Sequence, residues 1–187
     1  MLFSATLNYR VLELAYEHMN APEEIYIEPQ ERTVDTVEQC VFRHNVSTPV
    51  RMEFSSGRIV KNQIYRNSTE LDAAGGNGGG IVAYTDKEVC IEENSIHDNV
   101  SSGGSDGGGG IYAYAYDRGT VLVRANRVFR NTSDRHGGGI VAYGCEVRQN
   151  WIFENRAEGS GGGLYAVSAR IEGNRIERNS AARGGGL

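Results

Sequence analysis

The residues best suited to chemistry fall into two neighbouring groups. A loop position that recurs along the chain carries Asp106, then Asp134, Arg135 and His136, then Glu158, preceded by Glu70 and Asp72. Oxygen ligands gathered in this way can bind Ca²⁺, the one cofactor the residues invite. Two carboxyl groups held ~5 to 9.5 Å apart can also serve as the paired acids of glycoside hydrolysis. Arg118, in a loop on the other side of the intervening strand, is a candidate base for a polysaccharide lyase. The catalytic candidates are therefore Asp106, Asp134, His136, Glu158 and Arg118, and the plain alternative is a polar, solvated loop. The second group is Tyr84, Tyr112, Tyr114, Tyr143 and Tyr165, which recur on one side of successive strands. Exposed tyrosines in register make an amphipathic strip that can stack on sugar rings or on a protein partner. The alternative is that aromatic side chains pair along a sheet surface as good strand formers.

Both groups depend on a repeat. Asn62-Gln-Ile-Tyr-Arg-Asn67 returns as Asn94 to Asn99, Asn126 to Asn131, Asn150 to Asn155 and Asn174 to Asn179, with a weaker copy at Cys40-Val-Phe-Arg-His-Asn45. The second Asn advances by 22, 32, 32, 24 and 24 residues, a unit near 24 with an insertion of 8 in two places. A fixed period of this size signals stacked structural units. Each unit contains three short alternating stretches of strand character. One follows the glycines and puts Ile81, Ile111, Ile140 and Leu164 on the same side as Ala83, Ala113, Ala142 and Ala166. Another precedes the first Asn and turns Ile59, Ile91, Val123, Val147 and Ile171 inward, with Glu92, Arg124, Arg148 and Glu172 outward as solvated charges. The phrase itself supplies Ile64, Ile96, Val128, Ile152 and Ile176.

These stretches predict an all-β, right-handed parallel β-helix, a β-solenoid of about six rungs with three strands per rung and ~4.8 Å between rungs. The Asn columns, Asn62, Asn94, Asn126, Asn150 and Asn174 beside Asn67, Asn99, Asn131, Asn155 and Asn179, are structural. Asn tolerates the left-handed backbone of a sharp corner, and stacked amides can bond along the column. The triple glycines are expected to supply positive φ at another corner. The sequons at Asn45, Asn67, Asn99 and Asn131 use corner residues that stacking would bury. Residues 8–20 read as an amphipathic capping helix within a segment 1–21, and Glu24-Ile-Tyr-Ile-Glu28 as a first strand of the repeat domain 22–187. Ending at Gly184-Gly-Gly-Leu187, the repeat reads as truncated, with further rungs expected beyond it.

Composition narrows the function classes. A net charge of −5 gives no basic footprint for nucleic acid. No apolar run approaches the ~18 residues of a membrane span, and the first ten residues lack the pattern of a secretory signal. Cys40, Cys90 and Cys145 fit neither a disulfide framework nor a zinc pattern and read as small apolar residues in or near the stack.

The repeat grammar over residues 22 to 187 resembles the right-handed parallel β-helix, pectate-lyase-like superfamily. The aliphatic-x-x-Asn phrase, with Phe42-Arg-His-Asn45 as its one Phe-x-x-Asn, and the Gly-Gly-Gly-Ile that follows are similar to the repeats of polymorphic outer-membrane proteins, which are secreted adhesins. In those repeats an Ala stands where this chain has Gly. The resemblance implies an extracellular or cell-surface location and a polysaccharide or cell-surface glycan as partner. Three readings follow: a binding face for extended carbohydrate, a polysaccharide lyase or glycoside hydrolase, or a structural spacer.

Overall fold

The structure is a computed structural model describing residues 36–69 and 77–187. The expected capping helix at 8–20, the strand at 24–28, Glu70 and Asp72 lie outside the described residues. All described residues belong to the unit Thr33–Leu187.

Every regular element among them is a short strand, and the strand pairings are parallel, joining one rung to the next. Sheet I stacks Val50–Glu53, Ile81–Thr85, Ile111–Ala115, Ile140–Tyr143 and Leu164–Val167. Sheet II stacks Thr36–Glu38, Gly57–Val60, Glu88–Glu92, Thr120–Arg124, Glu146–Arg148 and Arg170–Glu172. Sheet III, formed by the repeated phrase, stacks Val41–Arg43, Gln63–Tyr65, Ser95–His97, Arg127–Phe129, Trp151–Phe153 and Arg175–Glu177. The six strands of sheets II and III correspond to six rungs. A fourth sheet, Val100–Ser101, Thr132–Ser133 and Arg156–Ala157, corrects the count of three strands per rung. Its strands have only two residues, too few for alternation to be visible in sequence.

Register puts like on like. Ile81, Ile111, Ile140 and Leu164 form one column, wholly buried. Ala83, Ala113 and Ala142 form the next, and their small side chains leave room for the Ile and Val side chains arriving from sheets II and III. Burying each Ile contributes roughly 1.5 to 3 kcal/mol. Cys145 belongs to this core, and burial pushes its thiol up to about 12. Cys40 and Cys90 depart from the expectation: the first is exposed and the second half-buried on the outer side of sheet II.

The asparagines close the corners through their side chains. Asn131 donates its backbone N–H and one Nδ2–H to Asn155 Oδ1, both at 3.0 Å, and the other Nδ2–H to the Ile96 carbonyl at 3.0 Å. Its own Oδ1 accepts from the backbone and side-chain nitrogens of Asn99 at 3.1 and 2.9 Å. The same pattern links Asn67 to Asn99, and the parallel column links Asn62, Asn94, Asn126, Asn150 and Asn174. The left-handed backbone sits one residue earlier than expected, on Lys61, Arg66, Glu93, Asp98, Ala125, Arg130, Gln149, Glu154 and Arg178. Amide bonding from the following Asn holds those residues there, so Asn serves by hydrogen bonding and not by tolerance of positive φ. Asn67, Asn99 and Asn131 are fully engaged and buried, which leaves their sequons no accessible amide.

The glycine triplets divide their work. Gly108 has φ +84°, the left-handed turn that was expected. Gly110 has an ordinary φ, but a Cβ there would lie 2.7 Å from Gly139 O and 3.0 Å from Asn131 Nδ2, so it is needed for close approach between rungs.

Glu92 corrects a second expectation. Only 2% exposed, it is clamped on the outer surface of sheet II by Arg58 and by Arg124, whose Nε lies at 2.7 Å. The Arg58 hydrogen bond first, and Arg124 with it, hold this carboxyl below the ordinary range against the opposing effect of burial. Both arginine side chains are partly open to solvent, which screens the pair.

Two outcomes are expected. Asn131→Ala strands several buried donors and acceptors at ~1 to 3 kcal/mol each, so denaturant unfolding should show a loss of roughly 3 kcal/mol or more. A loss under about 1 kcal/mol would contradict the ladder's role. Because Glu92 has a depressed folded pKa, its contribution is present above the unfolded value of ~4.3 and disappears as pH falls through the lower folded value. Melting temperatures of wild type and Glu92→Gln should therefore differ near neutral pH and converge in acid.

Candidate ligand-binding face

The outer side of sheet I carries two side-chain columns. One runs Val82, Tyr112, Val141, Tyr165, the other Tyr84, Tyr114, Tyr143, Val167. In the second column the rings follow one another at 5.1 Å from Tyr84 to Tyr114 and 5.3 Å from Tyr114 to Tyr143. Tyr165 meets Tyr143 edge-on at 6.2 Å. Tyr84, Tyr114, Tyr143 and Tyr165 are half-buried, so each keeps accessible ring surface. Tyr112 departs from the expected strip: it is only 6% exposed, because Val82 and Val141 flank it and the neighbouring tyrosines close over it.

Two aromatic residues absent from the sequence-based strip extend it. Phe54 meets Tyr84 edge-on at 5.3 Å, and Tyr116 stacks on Tyr84 at 6.1 Å and 18°. They are also the most open rings of the group, 55% and 49% exposed. Phe54 comes from a rung without the glycine triplet, where a φ of 49° and an N–H bond to Tyr84 O swing it over the column. Tyr116 sits one residue beyond Ile111–Ala115, outside the period-2 pattern. The available sequence signal was an aromatic residue just past the end of a strand in the two units on either side of the Ile81–Thr85 rung.

The polar margin lies on the glycine side. Asp106 accepts hydrogen bonds from Tyr143 at 3.2 Å, Tyr112 at 3.4 Å and Ser105 at 3.2 Å. Both phenols are raised well above their ordinary value, by burial first and by the Asp106 charge second. His136 stacks on Tyr165 at 4.6 Å and accepts the Ser160 backbone N–H through Nδ1 at 3.0 Å, so a neutral ring carries its proton on Nε2. Its backbone N–H reaches Asp106 O at 3.1 Å, which brings Asp106 and His136 to the same edge. Asp134 instead accepts the Gly103 N–H at 2.9 Å, holding its own loop. Glu158 and Arg118 are exposed, Arg118 in the turn 116–119 across the sheet. Among the described residues no group of three or more His, Cys, Asp or Glu is placed to hold a metal ion. Likewise, no described helix is long and apolar enough to cross a membrane. The arrangement can stack planar, hydroxyl-rich surfaces on its rings and accept hydrogen bonds at its acidic edge.

A raised folded pKa makes the tyrosine contribution complete below the unfolded value of ~10 and lost as pH rises beyond it. Asp106→Asn removes one cause of the shift. Ultraviolet titration of the variant should show tyrosine ionisation beginning at lower pH than in wild type, and an unchanged curve would detach Asp106 from the phenols.

Comparison with known proteins gives one extensive match and several short ones. A family model described as a right-handed beta helix region matches residues 24–181. The ATP-dependent RNA helicase RhlB of Photobacterium profundum is 55% identical over 42 residues, 22% of this chain and 10% of that protein. RhlB of Shewanella frigidimarina is 46% identical over 55 residues, 29% and 13% of the two chains. RhlB of Idiomarina loihiensis is 57% identical over 42 residues, 22% and 10%. The chain thus spans only about a tenth of the length of these curated relatives. No solved structure matches.

Proposed function

The chain belongs to the right-handed β-helix family, and we propose that it is a repeat segment that binds extended carbohydrate along the outer face of sheet I. The observation that carries this reading is the continuous aromatic surface from Phe54 and Tyr116 through Tyr84, Tyr114 and Tyr143 to Tyr165. Rings follow the rod axis at close to one per rung, so a polymer lying along the rod meets a similar contact at each step. Sugar rings offer C–H faces to such a surface, and the Asp106 carboxylate offers an acceptor for their hydroxyl groups. A protein exposing this surface to polysaccharides would work at a cell surface or outside the cell.

The test is affinity for a panel of neutral and acidic polysaccharides. Phe54→Ala and Tyr116→Ala remove open rings at the margin and should leave the melting temperature close to wild type. Each should weaken binding by roughly three- to tenfold, as expected for loss of ~0.5 to 1.5 kcal/mol. Affinity unchanged by the double substitution sinks the proposal, and a wild type without affinity for any glycan would favour a spacer. New reducing ends or unsaturated products in the same incubations would shift attention to Asp106, His136 and Glu158 as reacting groups.

A further inference from the structure

Sheet III carries a second surface, chemically unlike the first. In register along its outer side stand Tyr65, His97, Phe129 and Phe153, stacked at 5.0, 4.6 and 4.8 Å with interplanar angles of 3°, 15° and 4°. Beside them Trp151 lies between Arg127 and Arg175, each guanidinium 5.0 Å from its ring. Arg130 lies over Phe129 at 5.0 Å and Arg178 beside Phe153 at 5.9 Å. Guanidinium groups on aromatic faces lose little further freedom when they bind, because the stack already orients them.

Charge is concentrated on this side. The six phrases 40–45, 62–67, 94–99, 126–131, 150–155 and 174–179 hold six arginines against three carboxylates, an excess of three positive charges in a chain whose net charge is −5. The carboxylates are engaged: Asp98 with Arg130 at 3.0 Å, Glu154 with Arg178 at 3.2 Å and Glu177 with Arg175 at 3.0 Å. Arg43, Arg66 and Arg127 are exposed and have no carboxylate partner among the described residues. The surface therefore has unspent positive charge, fixed along a rigid lattice.

We infer that the outer face of sheet III binds an extended polyanionic glycan, one carrying sulfate esters or carboxylates. The stacking favours this occupant over single-stranded nucleic acid. Bases bind such surfaces by occupying free aromatic faces, whereas here the ring faces are covered by neighbouring rings and by guanidinium groups. What remains open is ring edges and N–H donors, which suit oxyanions. Arg127 and Arg175 stand two rungs apart, as do Arg130 and Arg178, so guanidinium groups recur at roughly 10 Å, at ~4.8 Å per rung, with Arg127 free of a carboxylate and the other three each sharing one. That repeat is close to the length of a disaccharide unit in an extended chain.

The experiment measures retention of the folded chain on heparin, with polygalacturonate, neutral dextran and a single-stranded oligonucleotide as competitors. Arg43→Gln/Arg66→Gln/Arg127→Gln removes three unpaired charges without touching the core or the Asn ladder. The variant should keep its melting temperature and lose about tenfold or more in affinity for the polyanionic glycan, and wild-type binding should weaken steeply with salt. Retention on heparin that polygalacturonate does not displace would assign sulfate, and displacement by polygalacturonate would assign carboxylate. Phe54→Ala/Tyr116→Ala, on the other face, should leave heparin retention unchanged. Absence of heparin and polygalacturonate binding, equal affinity in the triple variant, or stronger competition by the oligonucleotide would each overturn the inference.

Discussion

Everything in this molecule depends on parallel, in-register pairing between rungs. Once strand n lies on strand n+1 without offset, each side chain spends its life against its own counterpart in the neighbouring unit. Residue types survive at a position only if they tolerate a copy, or a complement, about one strand spacing away. Isoleucine packs on isoleucine, asparagine bonds asparagine, and aromatic rings stack. A lone carboxylate finds its place between two arginines, as Glu92 does between Arg58 and Arg124.

That constraint explains what could be read from the sequence. The Asn phrases and the Ile and Ala positions repeat because they are copies in a column, so the period, the strand pattern and the inward residues were legible. The number of rungs followed from counting phrases. What sequence did not convey was lateral coverage. Period 2 says which side of a sheet Tyr112 occupies, but not that Val82, Val141 and the neighbouring tyrosines shut it from solvent. The same gap hid the shielding of Glu92, whereas the fourth sheet was missed because its two-residue strands are too short to alternate. Phe54 and Tyr116 escaped for the opposite reason: they lie just outside the alternating stretch, where a change of backbone direction brings them back over it. The aromatic column on sheet III was visible as the fourth position of four of the six phrases, yet its meaning depends on flanking arginines that only register brings together.

The two outer faces use aromatic residues differently. On sheet I the rings are tilted by 34° and 37° along the main column and leave oblique surface and hydroxyl groups open, with one carboxylate at the margin. On sheet III they stack nearly parallel and turn their edges outward, while guanidinium groups take the remaining faces. One face is therefore suited to uncharged, hydroxyl-bearing surfaces and the other to oxyanions. Their separation onto different sheets keeps Asp106 away from the arginine array, so neither surface neutralises the other.

The Asn ladders have one more property. In both columns every Oδ1 accepts from the preceding rung, so the side-chain carbonyls all point the same way along the rod. Aligned amides polarise one another and add their dipoles, as peptide groups do in a helix. The rod is thus a vectorial object, with acceptor character at the rung nearer the N-terminus and donor character at the rung nearer the C-terminus. A rung joins such a ladder with its amides matched in one orientation only, a directional preference written into the scaffold independently of its side faces.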